Sequence, residues 1–267
     1  GMIVSRLGRV EVGDNQPVRV IGAINASPES FYPDSIVKSP EEAVKVAKKM
    51  VAEGADIIDI GGMSTAPYRE TYVPEKVELN RVLPIIKAIK KNIDVPLSID
   101  TMRSKVAEEA INAGVEIVND VSGCRMDNMM AFTVAKYGVS VILVAREKRH
   151  HEGNPIVRIR KALRESLQMC NEAGVEMKKV AIDPGIGFFR HTEWPWYEWD
   201  AYVIRNLYRL RLLRKPICVG VSRKSFIGTI LNQPDPAERL IGSLVCQAIA
   251  VVNGAHVVRT HNVAETV

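Results

Sequence analysis

Short apolar runs alternate with longer amphipathic segments along nearly the whole chain. Eight of the runs are rich in β-branched residues and predict strands at Val18–Ile24, Asp56–Ile60, Leu97–Ile99, Glu116–Val118, Val139–Val144, Val180–Ile182, Ile217–Val219 and His256–Val258. The segments between them repeat apolar residues at helical spacing, for example over Glu41–Glu53, Glu75–Lys91 and Arg103–Ala113. Pro40 suits the first turn of such a helix, and Gly174 stands where another helix should end.

Eight strands separated by helices predict an α/β protein with a parallel sheet, because parallel strands need long crossover connections. We expect the sheet to close into a (β/α)8 barrel, the TIM barrel, with residues 1–267 forming one domain; an open doubly wound sheet is the alternative. Runs rich in proline or glycine do not divide the chain. Since the chain ends at Val267, shortly after the eighth strand, the eighth helix is expected to be absent or truncated.

Composition narrows the functional classes. The 36 Lys and Arg residues exceed the 31 Asp and Glu residues only slightly, which suits small anionic substrates and falls short of the basic surface of a nucleic-acid-binding protein. The apolar stretches are too short to cross a bilayer. The four cysteines are widely spaced and form no C-x-x-C pair, so we expect reduced thiols in a cytoplasmic protein.

Polar residues follow the predicted strands, at the end where barrel enzymes place their active sites. Asp100, Asn119, Asp183 and Lys224 come from four different strands and should converge on one pocket. Carboxylates and a carboxamide can pair with the donor-rich edge of a guanidine-like heterocycle, and Lys224 can donate to a ring oxygen or nitrogen. The sequence therefore predicts a site for a flat, polar ring.

A second group of polar residues suits a phosphate. Arg259 and His261 follow the eighth strand, where barrels often bind phosphate, and the planar guanidinium of Arg259 can also stack on a ring. Asn25, after the first strand, can reach a phosphate oxygen or a bound Mg2+ ion. The same mouth of the barrel is thus expected to hold a ring and a phosphate.

Seven segments at these strand ends resemble the signatures of the dihydropteroate synthase family, in the family's order. The chain reads N-A-S-P-E-S-F from Asn25, G-M-S-T-A-P-Y from Gly62, S-I-D-T from Ser98, N-D-V-S-G from Asn119, D-P-G-I-G-F from Asp183, S-R-K-S-F-I-G from Ser222 and R-T-H-N from Arg259. Any one segment is weak evidence, but seven in register across residues 25–262 make the resemblance specific.

The resemblance implies a transferase that condenses 6-hydroxymethyl-7,8-dihydropterin pyrophosphate with an aromatic amine, usually p-aminobenzoate, and releases pyrophosphate. It also implies Mg2+ as cofactor and a homodimer. The residues implied for the pterin are Asp100, Asn119, Asp183, Lys224 and Arg259. Those implied for the amine and the pyrophosphate are Thr65, Phe188, Ser222 and His261. Catalysis is assigned to Asn25, Lys224, Arg259 and His261, with Asn25 also on the metal.

Two loops depart from the family pattern on the acceptor side. In the first, Ser27 and Glu29 replace the usual Thr and Asp; in the second, Met63 and Ala66 replace the usual Glu and Arg. Arg69 is expected to substitute for the missing arginine. After the fifth strand the family's M-H-M becomes V-A-R, and a basic cluster begins there: Arg146, Lys148, Arg149, His150 and His151. This cluster motivates the hypothesis of a phosphorylated acceptor, such as a ribofuranosyl aminobenzene phosphate; a solvated basic surface is the alternative.

Several residues have two interpretations. Trp194, Trp196 and Trp199 either form a wall for the aromatic acceptor or pack on a partner subunit. Glu78 is interpreted as an ordinary charge on a helix surface. Asp59 and Asp120 are assigned to turns or hydrogen bonds in preference to catalysis.

Two other functions compete with the condensing enzyme: a pterin-dependent methyltransferase and a non-catalytic pterin-binding protein. Methyl transfer releases no pyrophosphate, so Arg259, His261 and the S-R-K-S-F-I-G segment favour condensation. The altered loops and the early C-terminus motivate the non-catalytic alternative.

Overall fold

One sheet of eight parallel strands organises the structure, a computed structural model that describes residues 1–27, 36–63, 72–149, 152–189, 192–220 and 247–267. Two N-terminal strands come first, β1 (Val4–Leu7) and β2 (Val10–Gly13). The sheet then takes β3 (Arg19–Asn25), β4 (Ile57–Gly61), β5 (Leu97–Asp100), β6 (Ile117–Asp120), β7 (Ser140–Val144), β8 (Val180–Asp183), β9 (Cys218–Gly220) and β10 (Val257–Thr260).

The strands follow the order β8-β7-β6-β5-β4-β3-β10-β9, and every neighbouring pair is parallel. The two edge strands approach each other through a parallel bridge between Ile182 and Ile217, and the Ile182 amide donates to the Pro216 carbonyl over 2.9 Å. The sheet is therefore a nearly closed barrel. This confirms the predicted (β/α)8 fold over the open alternative, and each of the eight sequence-predicted strands is present.

The helices of the described residues cover the outside of the sheet. They are α1 (Pro40–Ala52), α2 (Glu75–Asn92), α3 (Ser104–Asn112), α4 (Met130–Tyr137), α5 (Pro155–Ala173) and α6 (Trp196–Arg205). Residues 247–252 are also helical, and a four-residue helix, Val263–Thr266, follows β10 where the eighth helix was expected to be absent or truncated. Within the described residues, no helix is long and apolar enough to span a membrane.

The antiparallel hairpin of β1 and β2 was missed by the sequence analysis, which began at the first long apolar run. Leu7 and Val12, both fully buried, extend from this hairpin into the lower end of the barrel. Ser140 on β7 fastens it: its hydroxyl donates to the Arg6 carbonyl over 2.8 Å and accepts from the Gly8 amide over 2.9 Å. The signal for the hairpin was weak: apolar and polar residues alternate after Gly8, over Arg9–Val12, but not before it.

Every second side chain of a strand faces the barrel interior, and on most strands the inward side chains change from apolar to polar between one inward position and the next. The lower layer is apolar and packs on the hairpin: Ile21, Ile57, Ile117, Ile142, Ala181, Cys218 and Val257. Two positions further along five strands, the inward sites become Asp59, Asn119, Asp183, Gly220 and Arg259, and β5 adds Asp100 at its end. We call Asp59, Asp100, Asn119, Asp183 and Arg259 the polar layer. Because the apolar layer fills the barrel below it, a ligand would reach the polar layer from the carboxyl ends of the strands.

Candidate active site

Arg259 organises the polar layer by bonding to two carboxylates on other strands. Its Nε donates to Asp59 Oδ2 over 2.9 Å, and one terminal nitrogen donates to Asp100 Oδ2 over 3.3 Å. To make these contacts the side chain reaches from β10 past β3 to β4 and β5. Both carboxylates are thus held by one guanidinium, which ties the strands together at the level where a ligand would bind.

Three acceptors of the polar layer lack a hydrogen-bond partner among the residues that the structure describes. They are Asp59 Oδ1, Asp100 Oδ1 and Asn119 Oδ1, and all three atoms are buried. Asp100 and Asn119 are paired in the register of β5 and β6, so the two residues are neighbours across the sheet. Leaving a buried acceptor unbonded costs about 1–3 kcal/mol. Unbonded acceptors at the mouth of the barrel are therefore best explained by a ligand that brings hydrogen-bond donors.

The electrostatics of the layer favour a cationic or donor-rich guest. Burial, followed by the neighbouring charge of Asp59, raises the pKa of Asp100 to about 7, although Arg259 acts in the opposite direction. Burial alone would lower the pKa of Arg259, but the charges of Asp59 and Asp100 outweigh it, so that this pKa lies above its ordinary value. Two carboxyl groups, Asp59 and Asp100, are thus paired with one guanidinium, and Asp183 stands in the same layer on β8.

A tight turn orients Asp183 at the end of β8. The Gly185 amide donates to Asp183 Oδ1 over 2.8 Å, and Gly185 has a positive φ of 77°. A side chain there would also collide with the Ala145 carbonyl, since a Cβ would stand 2.9 Å from that oxygen. Asp200 on α6, which the sequence analysis did not single out, accepts from the Gly187 amide over 3.0 Å. Two carboxylates therefore hold the D-P-G-I-G-F turn: Asp183 on the side of the barrel mouth and Asp200 on the side of α6.

An apolar rim borders the polar layer. Met63, Met102, Val121 and Val144 form a separate buried cluster, with Val73 and Phe188 packed against it. Met63, which stands where the family has glutamate, accepts from the Val73 amide through its sulfur over 3.3 Å. Apolar walls with a few convergent polar groups are typical of sites for small molecules, and this combination suits a flat heterocycle with a polar edge.

Asn25 and His261 stand at the same end of the barrel, half-buried, in the positions predicted for a phosphate. The Asn25 side-chain oxygen accepts from the Ser27 amide over 2.8 Å, which fixes the carboxamide. His261 Nδ1 lies 3.2 Å from the Ala23 carbonyl, which suits an N–H donor at that nitrogen. No group of three or more His, Cys, Asp or Glu side chains that could hold a metal ion occurs within the described ranges.

Four predicted site residues lie outside the described residues: Thr65, Arg69, Ser222 and Lys224. Glu29, Ala66 and the two histidines of the basic cluster also lie outside them. Of the predicted pterin residues, Asp100, Asn119, Asp183 and Arg259 are brought together. Asn25, Phe188 and His261 lie at the same end of the barrel.

The interpretation of Glu78 as a surface charge was wrong. Glu78 is completely buried, accepting from the Thr101 hydroxyl over 2.8 Å and from the Arg103 guanidinium over 2.9 Å. Burial raises its pKa despite both partners. Arg103 also donates to the Val73 carbonyl over 2.6 Å, so the network joins the residue after Asp100 to the end of the second loop. The helical pattern alone could not show that α2 turns this glutamate toward a strand end.

Asp120 and Asp59, both assigned to hydrogen bonding, have different surroundings. Asp120 accepts from the Ser122 amide and hydroxyl over 2.8 and 2.7 Å and from the Cys124 amide over 3.2 Å, so it holds a turn as interpreted. Asp59 also makes a hydrogen bond, but its donor is the predicted catalytic Arg259. Asp59 therefore belongs to the site, a role that its assignment to hydrogen bonding alone did not predict.

Trp199 fits neither proposed role for the tryptophans. It is fully buried, stacked on Phe189 at 4.8 Å between ring centroids, with the Arg158 guanidinium 4.7 Å above its ring. Arg158 in turn bonds to Glu147 over 2.6 and 3.1 Å. Trp199 is thus a core residue that fixes the loop after β8. Trp194 and Trp196 are half-buried and pack against the same core.

The basic cluster after β7 lies apart from the polar layer. Lys148 and Arg149 line a cavity of about 290 Å3 against α5, together with Arg125, Glu147, Lys161, Ala162 and Glu165, and no polar-layer residue lines it. Arg125 donates to Glu165 and to the Ala162 carbonyl. Arg146 is half-buried beside Met102, 3.5 Å from its sulfur. Among the described residues of the cluster, Arg146 contacts Met102, and Lys148 and Arg149 are exposed, which fits the alternative of a solvated basic surface.

Comparisons with known proteins agree with this geometry. A sequence family described as "Pterin binding enzyme" matches residues 21–261. A dihydropteroate synthase of Clostridium beijerinckii is 39% identical over 97% of this chain and 94% of its own length. A Clostridium difficile dihydropteroate synthase, solved in the presence of pteroic acid, has a TM-score of 0.85 and 37% identity, covering 94% of this chain and 93% of its own. A Xanthomonas albilineans dihydropteroate synthase with 4-aminobenzoic acid has a TM-score of 0.87 and 31% identity, covering 100% and 95%.

Proposed function

The chain belongs to the pterin-binding enzyme family and, within it, to the dihydropteroate synthases; from this membership we propose that it condenses 6-hydroxymethyl-7,8-dihydropterin pyrophosphate with p-aminobenzoate. One observation of the site carries the proposal. Three buried acceptors without partners in the described structure stand beside Asp183 under an apolar rim. The amino group and ring N–H of a pterin present donors along one edge, and this arrangement is complementary to them.

The reaction is a substitution at the methylene carbon of the pterin. The bond from that carbon to the pyrophosphate oxygen breaks, the amine nitrogen bonds to the carbon, and the ammonium group then loses a proton. As pyrophosphate departs, positive charge develops on the methylene and the ring. The carboxylates of Asp100 and Asp183 stabilise that charge in a site shielded from water, so the protein need not supply a nucleophile.

Arg259 and His261 are proposed to act on the departing pyrophosphate. Arg259 has a partly exposed side chain, and its charge is secured by the two carboxylates behind it. His261 can accept or donate a proton through the ring nitrogen that does not face Ala23. Asn119 supplies a neutral acceptor, so it can recognise a ring N–H without adding another negative charge.

Mg2+ is proposed as a partner of the pyrophosphate. The described residues offer Asn25 as a single fixed amide oxygen and no cluster of acidic ligands. This set fits an ion that keeps several waters and is shared with substrate phosphates, as Mg2+ usually is. When bound, the ion would neutralise charge on the leaving group. We expect no Mg2+ binding by calorimetry without pyrophosphate, and weaker Mg2+ dependence in Asn25→Ala.

A homodimer is proposed on the basis of an exposed apolar surface. Tyr208, Leu212, Ile249 and Val252 are 54%, 65%, 41% and 86% exposed. The two segments are adjacent, since the Tyr208 Cα lies 3.6 Å from where a Cβ on Gly254 would stand. Such contiguous apolar side chains are typical of subunit interfaces.

We further propose p-aminobenzoate as the acceptor and the cytoplasm as the location. The basic cavity lies against α5, away from the polar layer, so it does not support a phosphorylated acceptor at the reacting carbon. Cys124, Cys170 and Cys218 are buried free thiols, as expected for a reducing compartment.

The direct test is pyrophosphate release by the protein with Mg2+ and the dihydropterin pyrophosphate. Three reactions run in parallel: p-aminobenzoate, its ribofuranosyl phosphate relative, and no amine. We expect release that requires p-aminobenzoate, falls at least about 100-fold in Asp183→Asn, and survives in Asp14→Asn, a matched substitution at the opposite end of the barrel. Pterin binding without release in any of the reactions would favour the non-catalytic alternative.

A further inference from the structure

Asp59 is a charged residue in an otherwise apolar strand. Its neighbours Ile58 and Ile60 are fully buried, as is Asp59 itself. Burying a carboxylate is costly unless its bonds compensate, and one of its two oxygens has no partner in the described structure. A stabilising role alone would favour an apolar residue at this position. Among the described residues its charged hydrogen-bond partner is Arg259, so the role of Asp59 lies in its effect on that guanidinium.

Asp59 and Asp100 compete for the same guanidinium. Asp59 Oδ2 bonds to Nε at 2.9 Å, whereas Asp100 Oδ2 bonds to a terminal nitrogen at the longer distance of 3.3 Å. An arginine that meets a single carboxylate tends to bind both of its oxygens through two parallel N–H bonds. Here Asp59 occupies the Nε edge, so Arg259 holds Asp100 by one oxygen and leaves Asp100 Oδ1 unbonded.

We propose that Asp59 is a positioning residue of the condensation, which fixes Arg259 so that one oxygen of Asp100 stays available to the substrate. This inference rests on the proposed function, because it assigns that oxygen to the donor edge of the pterin. Asp59 acts through Arg259 and Asp100 and is not itself required to touch the substrate. Its removal would let Arg259 rotate onto both oxygens of Asp100 and occupy the acceptor.

The arrangement also controls protonation at Asp100. The charged groups facing Asp100 are Asp59, Arg259, Glu78 and Asp120. After burial, the charge of Asp59 contributes most to the raised pKa of Asp100, and Arg259 is the opposing cation. Removing the Asp59 charge eliminates a repulsion and strengthens the contact with Arg259. Both changes lower the pKa of Asp100, whereas a variant that only lost stability would keep the wild-type pKa.

The experiment compares wild type, Asp59→Asn and Asp59→Glu across pH 5 to 9, an interval of about two units on each side of the Asp100 pKa. Steady-state kinetics give kcat/KM for the pterin substrate, and fluorescence titration gives the dissociation constant of 6-hydroxymethylpterin. For Asp59→Asn we expect kcat/KM at its plateau to fall at least about tenfold, and the acidic limb of both profiles to move down by about one pH unit. Asp59→Glu should keep the limb near its wild-type position, because the charge is retained, but should lower the plateau.

Asp14→Asn is the matched control. Asp14 also pairs with an arginine, Arg211, but at the lower end of the barrel, so this variant loses a carboxylate without touching the site. Its acidic limb should coincide with that of the wild type. An unchanged limb in Asp59→Asn, or an unchanged plateau in Asp59→Glu, overturns the inference. Because pterin binding is measured separately, a wild type without turnover refutes the proposed function while the binding profiles still test Asp59.

Discussion

Replacing Asp100 by asparagine should stabilise the protein while it abolishes catalysis. Asp100 has a pKa of about 7 because it is buried beside Asp59, far above the ordinary value of about 3.9. The folded protein therefore holds the Asp100 proton more tightly than the unfolded chain does. Folding stability is unaffected by this group below about pH 4 and falls as the pH rises from there to about 7.

The magnitude follows from the difference between the two pKa values. About three pH units at ~1.4 kcal/mol each amount to about 4 kcal/mol of stability lost at pH 8 in the wild type. The neutral carboxamide avoids this loss, but Arg259 gives up one of its two carboxylate partners, which offsets part of the gain. We expect a net stabilisation of about 1–3 kcal/mol, or ~2–5 °C in Tm for a chain of this size.

Thermal unfolding at pH 8 and pH 5, beside kcat/KM for the pterin, tests this reasoning. The stabilisation should be largest at pH 8 and shrink at pH 5, and kcat/KM should fall at least about 100-fold, since a carboxamide N–H would face the donor edge of the substrate. Asp120→Asn is the comparison: burial also raises the pKa of Asp120, to about 6, but its carboxylate accepts three hydrogen bonds that a carboxamide cannot all keep, so any gain in stability at pH 8 should be smaller than for Asp100→Asn. An Asp100→Asn variant less stable than the wild type at pH 8 would refute the argument.

Three further substitutions have defined outcomes. Asp14→Asn should cost about 1–2 kcal/mol of folding stability, measured by urea unfolding. It should also flatten the loss of stability in acid, because hydrogen bonds from Arg211 hold the Asp14 pKa well below its ordinary value. Equal acid sensitivity in both proteins would contradict this. Arg158→Met should cost about 3 kcal/mol in the same assay, since it leaves the half-buried Glu147 without its bidentate partner; a loss below about 1 kcal/mol would contradict it. Leu212→Glu should convert the proposed dimer to monomer in analytical ultracentrifugation, and an unchanged mass would reject that surface as the interface.

Strand positions were predictable because the strands are local, apolar and evenly spaced. The inward location of Asp100, Asn119 and Asp183 followed from the rule that barrel sites lie at strand ends. The β1–β2 hairpin was not predicted, since its four-residue strands have no long apolar run and gain their stability by filling the lower barrel. The stability of this hairpin therefore comes from its contacts with the barrel and not from its own sequence pattern.

Errors at the site have a common physical origin. Glu78 and Asp59 bury their charges only because arginines distant in sequence, Arg103 and Arg259, reach them. Sequence spacing cannot reveal such long-range compensation, so an acidic residue in a helix was interpreted as solvated and one in a strand as a minor hydrogen-bonding group. Trp199 was misjudged similarly, because Phe189 and Arg158 enclose it from two different segments.

The most direct test of the central claim is the identity and amount of the product. Wild-type protein, Mg2+, dihydropterin pyrophosphate and p-aminobenzoate are incubated, and dihydropteroate is measured by mass spectrometry beside released pyrophosphate. The account predicts the two in equal amounts for the wild type and neither above background for Asn119→Leu, which removes the neutral acceptor from the polar layer. Pyrophosphate without dihydropteroate, or full activity in Asn119→Leu, would contradict it.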